Sequence, residues 1–335
     1  MRLTASRPPV RNVGCPHRDE RVLTESEASD MLDTATQGRW TDMGRAMRLA
    51  TVLVTLPALA FAQPGEERVE LQSEGQTFIG TLALPEGDPA PVVLLLHGFT
   101  GSRDELPIPN TEDGVFSRTA RLLAESGYAS LRIDFRGSGE STAEMTYEAT
   151  TFEGQVADAL AAVAYLQGLD RVDGGDVFVI GWSQGGLVAS AVAGRSDALD
   201  AAALWQAVGD PAATYGGLLG ADAMTAGMAA APDETVMAPL PWGVEIGLNG
   251  AFFDGIETFD PMAEIAAYAG PLFVTKGMLD TTVLPEASDA FIAAHEGPEE
   301  LWTAEMDHVF NVFTTTETLD EMVAATVAFF DAHRN

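Results

Sequence analysis

Residues 177–186, VFVIGWSQGG, run a set of β-forming side chains into Gly181-Trp182-Ser183-Gln184-Gly185, a serine fenced by glycines and followed by small, helix-compatible residues. Between a strand and a helix, G-x-S-x-G sets the serine on a tight turn, where the glycines let other backbone crowd close and the hydroxyl projects above the sheet. Alone, the pentapeptide also reads as an ordinary glycine-rich turn; the flanking strand and helix favour a nucleophile. A serine hydroxyl attacks poorly at neutral pH unless a base lies within hydrogen-bond reach and a third group orients that base. Downstream, His308 in EMDHVFN follows the last expected strand and precedes the last expected helix. His333 falls in the terminal helix and His295 at a helix end, both read as solvated surface, while His97 belongs to a strand-end loop. For the acid, Asp280 in VTKGMLDTTV directly follows a buried apolar run, at the carboxyl edge where ligand and catalytic groups collect in open parallel sheets. Asp254 and Asp260 compete from an irregular region, and Asp307 is too near His308 in sequence to face its ring; Asp280 could also be a turn or helix-capping aspartate.

Attack on a carbonyl develops negative charge on its oxygen, which preorganised N–H groups must receive. The amide of Gln184, next after the serine, supplies one. The second is expected from HGFTGS (97–102), where Gly98 turns the backbone sharply and Phe99 presents its N–H; His97 then shapes the loop rather than acting as a base.

The elements needed to hold these groups alternate from residue 68 onward, the pattern of a sheet with crossover helices. RVELQ (68–72) and TFIGTLAL (77–84) read as a hairpin, and PVVLLLHG (91–98) as a strand buried on both faces. A helix near 114–126, YASLRIDF (128–135), a helix over 152–167, DVFVIG (176–181), a small-residue helix and AAALWQAVG (201–209) continue the series. PLFVTKG (271–277), a helix near 286–295, ELWTAEM (300–306) and a helix over 318–332 close it. Between Asp210 and Pro261 the rhythm fails, in a stretch too long for a structureless connection. Its methionines and aromatics, Met224, Met228, Met237, Tyr215, Trp242, Phe252 and Phe253, offer apolar surface, so the stretch reads as a small inserted cap rather than a linker.

Residues 43–62, MGRAMRLATVLVTLPALAFA, pair two arginines with a short apolar run and an A-x-A ending, the pattern of a secretory signal peptide cleaved before Gln63. The run is too short for a membrane-spanning anchor. The polar residues 1–42 read as an upstream over-extension holding the sole cysteine, Cys15, with Met43 or Met47 as the start. The expected mature chain, 63–335, is exported to the periplasm or beyond the cell, with no membrane anchor after cleavage. Acidic residues outnumber basic ones 50 to 18, a net charge of −32, and Lys276 is the sole lysine. Such a field repels nucleic acid and anionic membranes, and the acid-rich, lysine-poor balance resembles proteins of salt-accumulating organisms. Closely spaced histidine or cysteine ligands and a phosphate-binding G-x-x-x-x-G-K are both lacking, so neither a metal nor a cofactor is expected.

Taken together, LLLHGFTGSRDE, LRIDFRGSGES, VIGWSQGG, GMLDTTVLPEAS and MDHVF resemble the α/β-hydrolase superfamily, in the order Ser, Asp, His that this fold uses. Over residues 68–333 the chain looks most like its cinnamoyl/feruloyl esterase-type branch. The resemblance implies a mostly parallel central sheet flanked by helices with a small cap, and a cap position comparable to Asp210 that holds substrate. It also implies a serine carboxylic-ester hydrolase acting on small-molecule esters with short or aromatic acyl groups. Competing readings are a serine peptidase or amidase of the same fold, and a non-catalytic binding protein, since fold alone does not imply chemistry.

Overall fold

The computed structural model describes residues 65–87 and 89–334; the expected leader at 43–62, the segment before it and Cys15 lie outside the described residues. Strands β1 (Gly65–Ser73) and β2 (Gln76–Leu84) form an antiparallel hairpin. Its two turn residues, Glu74 and Gly75, both have positive φ, the twist a two-residue hairpin demands. In chain order there follow β3 (Ala90–Leu96), α1 (Val115–Glu125), β4 (Ala129–Asp134), α2 (Phe152–Gln167), β5 (Val172–Trp182), α3 (Gln184–Arg195) and β6 (Ala201–Trp205). After β6 the chain leaves the sheet as α4 (Pro211–Ala229), a separate hairpin of β7 (Thr235–Pro239) and β8 (Glu245–Asn249), and α5 (Gly250–Thr258). It returns through α6 (Pro261–Ala266) to β9 (Leu272–Gly277), α7 (Glu286–Ala294), β10 (Glu299–Ala304) and α8 (Glu317–His333).

The main sheet has eight strands in the order β1-β2-β4-β3-β5-β6-β9-β10. β2 meets β4 antiparallel, and every pairing from β4 to β10 is parallel. β3, β4 and β6 are buried at every residue; β3 and β6 therefore read in sequence as unbroken apolar runs, whereas β4 carries the buried Ser130, Arg132 and Asp134 within it. Successive residues of β3 feed opposite faces. Val92, Leu94 and Leu96 join a core with α2 and α3, whereas Val93 and Leu95 join a second core with α1 and α8. Each such side chain contributes about 1.5–3 kcal/mol by leaving water. From β3 the chain steps to β4 on one side and later to β5 on the other, so a crevice opens beyond the carboxyl ends of β3 and β5, where ligands bind in open α/β sheets.

His295, expected at the solvated surface, is buried instead: Nε2 lies 2.9 Å from the Gly270 carbonyl oxygen and Nδ1 3.4 Å from the Glu299 carboxylate. The turn from α7 into β10 folds its ring inward beside Tyr268. Every arginine among the described residues, and Lys276, stands at ion-pair distance from a carboxylate. No helix among the described residues is long and apolar enough to cross a membrane.

Candidate active site

Ser183 joins β5 to α3 with φ 57° and ψ −117°, a left-handed conformation that an ordinary residue keeps only when its surroundings enforce it. Here its N–H donates to the Trp205 carbonyl at 3.0 Å, and its carbonyl accepts from Val208 at 3.0 Å and from Gly186 and Leu187 at the start of α3. The flanking glycines permit the turn by their lack of a side chain. A Cβ on Gly185 would sit 2.0 Å from the Leu96 carbonyl oxygen, and one on Gly181 would sit 2.1 Å from the carbonyl oxygen of Gly185.

His308, on the loop between β10 and α8, places Nε2 3.0 Å from Ser183 Oγ and Nδ1 2.7 Å from Asp280 Oδ2. Because a carboxylate only accepts, the network assigns the proton to Nδ1 and leaves the Nε2 lone pair for the serine hydroxyl. Asp280 follows β9 and is almost wholly buried. Its Oδ1 accepts the N–H groups of Thr282 at 2.8 Å and Val283 at 3.0 Å, and Oδ2 accepts Gln206 Nε2 at 2.9 Å as well as His308. Asp307 instead ties its own loop, its Oδ1 accepting the N–H groups of Val309 and Asn311. Trp182 steadies the same loop by donating Nε1 to the His308 carbonyl at 3.1 Å.

The amides of Phe99, after β3, and Gln184, after Ser183, belong to the turns that flank the crevice, and among the described residues neither has an acceptor. A developing oxyanion would satisfy both. His97 takes the Phe135 N–H on Nε2 at 3.2 Å and donates Nδ1–H to the Gly98 carbonyl at 2.9 Å; burial lowers its pKa and keeps it neutral. Ser183 and His308 line a cavity of about 450 Å³, whose other walls include Leu106, Leu218, Trp242, Val309 and Phe313.

Asp210 is not brought to this group. It caps α4, accepting the Ala213 N–H at 2.9 Å ahead of Pro211 at the first helical position, and it lines a separate cavity of about 480 Å³ that shares Thr282 with the first. The signal for that role was present in the Asp-Pro pair, since proline is favoured at the first helical position and aspartate just before it. Sequence reasoning missed Gln206. Its sole trace is a polar residue closing the apolar run AAALW at the sheet's carboxyl edge.

A mostly parallel sheet, a serine on the tight turn after β5 and a histidine beyond the last strand define the α/β-hydrolase fold. The profile of the α/β hydrolase fold family matches residues 91–214. No curated protein matches the chain by sequence. Among solved structures, the chain is similar to Est1E from Butyrivibrio proteoclasticus, with a TM-score of 0.61 and 22% identity over 79% of this chain and 99% of that one. Est1E is also solved with ferulic acid bound. The esterase domain of a Rhodothermus marinus protein has a TM-score of 0.59 and 23% identity over 79% of this chain and 97% of its own. A puromycin-hydrolysing peptidase of Mycobacterium tuberculosis has a TM-score of 0.61 and 19% identity, covering 84% of this chain and 41% of that one. At these identities the likeness establishes the fold.

Proposed function

We propose that this chain is a serine carboxylic-ester hydrolase that works through an acyl-enzyme on esters with short or aromatic acyl groups, and that it acts outside the cytoplasm after removal of its leader. The observation that carries the reading is the hydrogen-bonded series Asp280–His308–Ser183 beside two unengaged amides. Ser183 Oγ adds to the ester carbonyl carbon while His308 Nε2 takes the hydroxyl proton. Asp280 stabilises the imidazolium, and the Phe99 and Gln184 amides hold the oxyanion. Collapse expels the alcohol, protonated by His308. Water then repeats the sequence on the acyl-serine and releases the acid.

A cavity of about 450 Å³ walled by Trp242, Phe313 and Leu218 suits an aromatic ring or a short chain better than a long fatty acyl group. The ferulic acid bound in Est1E supports the aromatic class. The test compares kcat/KM for acetyl, butyryl, octanoyl and palmitoyl p-nitrophenyl esters and methyl ferulate, with p-nitroanilides beside them. Short-chain and ferulate esters are expected to lead, with a gradual decline as each methylene is added, since a methylene is worth about 1–3 kcal/mol. Highest efficiency on palmitate would make it a lipase, anilides ahead of esters a peptidase or amidase, and no turnover of any a binding protein. Ser183→Ala is expected to lose ~10³-fold or more in kcat without loss of fold. N-terminal sequencing of exported protein, expected to begin at Gln63, checks the leader.

A further inference from the structure

Three consecutive amides in the turn after β3 meet different fates. The Gly98 N–H donates to Glu105 Oε1 at 2.5 Å, and the Thr100 N–H donates to the Tyr147 hydroxyl oxygen at 2.9 Å. The Phe99 N–H between them has no acceptor among the described residues. Glu105 is buried, and the turn wraps it so closely that a Cβ on Gly101 would fall 2.5 Å from the same Oε1. Thr100 and Glu105 both have positive φ, 62° and 55°, which is costly for any L-residue and most of all for a β-branched threonine. The turn is therefore not in the conformation its own residues prefer, and contacts from outside must hold it. Tyr147 comes from a short 3-10 helix, Tyr147–Ala149, which packs against β8 of the cap, and its ring lies 6.2 Å from that of Phe99. The Phe99 ring also meets Tyr215 of α4 at 5.4 Å and Phe252 of α5 at 5.7 Å.

We propose that Glu105 and Tyr147 are positioning residues that engage the N–H on either side of Phe99 and so aim its amide at the place where an oxyanion forms. This rests on the ester-hydrolase reading of Ser183. An oxyanion donor works only if its N–H already points to within about 2.7–3.1 Å of the anion, and losing one costs ~10²–10³-fold in kcat. With an anchor removed, the strained turn relaxes and the Phe99 amide rotates away. The loss appears in kcat, because the ground-state ester makes little use of that donor.

The experiment takes the full mature chain as Tyr147→Phe, Glu105→Gln, Glu105→Ala and Ser183→Ala. It measures kcat and KM on p-nitrophenyl butyrate and the inhibition constant of an aryl trifluoromethyl ketone. That probe accepts Ser183 Oγ at its carbonyl carbon, passes the serine proton to His308 and leaves its oxygen as an oxyanion. Tyr147→Phe keeps the ring and deletes only the hydroxyl, so it is expected to lower kcat about 10-fold or more, at most the cost of a whole donor, with KM little changed. Ketone affinity should fall by the same factor as kcat/KM. Glu105→Ala should match it, and Glu105→Gln, which retains Oε1 as an acceptor for Gly98, should restore most of the loss. Wild-type kcat in Tyr147→Phe overturns the proposal, as does a kcat loss not mirrored in ketone affinity, or Glu105→Gln as impaired as Glu105→Ala. If Glu105→Ala does not fold, Tyr147→Phe and Glu105→Gln decide. Turnover surviving in Ser183→Ala is a separate outcome and overturns the underlying reading instead.

Discussion

Gln206 donates its side-chain amide, at 2.9 Å, to the same Oδ2 of Asp280 that holds His308. The second amide hydrogen goes to the Asp307 carbonyl at 2.7 Å, which leaves Gln206 Oε1 buried without a partner. An orphaned buried acceptor costs about 1–3 kcal/mol, so the side chain is retained for its nitrogen, not its oxygen. Removing that donor leaves Oδ2 held only by His308, with Oδ1 still tied to the Thr282 and Val283 amides, so the carboxylate orients the imidazole less firmly. Gln206→Ala is expected to lower kcat about 10-fold, the equivalent of one hydrogen bond to a charged group. Gln206→Glu should be worse, because it sets a second carboxylate against Asp280. Steady-state kinetics of the two variants check the order; wild-type activity in both would remove Gln206 from the site.

Glu105 gives stability a pH dependence. Burial, with the charge of Asp134 adding to it, raises its pKa from 4.5 to about 8 against the opposing Gly98 N–H; the Tyr147 phenol, itself pushed upward by burial, keeps its proton. The folded chain therefore holds a proton that the unfolded chain releases from pH 4.5 upward. The stability due to this group is complete below that pH and is lost as pH rises through about 8. Glu105→Gln cannot ionise. The Tm of the wild type relative to this variant should fall steadily across that interval, and parallel Tm curves would show that Glu105 does not titrate there.

Trp242, on the turn between β7 and β8, and Phe313 are more than half exposed, yet both line the cavity beside Ser183. Side chains so exposed contribute little to the core. Trp242→Ala is expected to lower kcat/KM for methyl ferulate by about 10-fold, within the ~1–3 kcal/mol that an apolar contact supplies, with little effect on acetyl esters or Tm. An equal loss on both substrates would place Trp242 outside the acyl site.

Carboxylates so far in excess of cations repel one another most at low ionic strength. Raising salt shortens the screening length from about 10 Å at 0.1 M to about 3 Å at 1 M, so Tm should climb over that range. Thermal unfolding at fixed pH in increasing sodium chloride checks this, and a flat Tm would show that the surface charge carries no stability cost.

The sheet was legible because β3 and β6 lie buried on both faces and so spell continuous apolar runs. The turn carrying Ser183 was legible because backbone crowding excludes side chains at Gly181 and Gly185, a constraint that leaves a spelling. The region from Asp210 to Pro261 was not. α4 is interrupted by Gly220 at φ 80° and is rich in glycine and alanine, so no apolar stripe marks it, and the β7–β8 hairpin has only five residues on each side. Gln206, Glu105 and Tyr147 were invisible for another reason. Their partners, Asp280, Gly98 and Thr100, lie 74, 7 and 47 residues away, and nothing local distinguishes such side chains from ordinary polar residues.

The ion pairing of every described arginine and of Lys276 bears on what becomes of a product. On the proposed reaction, the acid released from the ester leaves as an anion, and the full chain carries a net charge of −32. With its described cations already engaged, the surface offers that anion little to linger on, and the field outside the cavity drives it away. On that reading, release would be the downhill end of the cycle, most strongly in dilute buffer. Inhibition by the acid product should tighten as salt screens the repulsion, so the same ions that steady the fold would slow the clearing of its site.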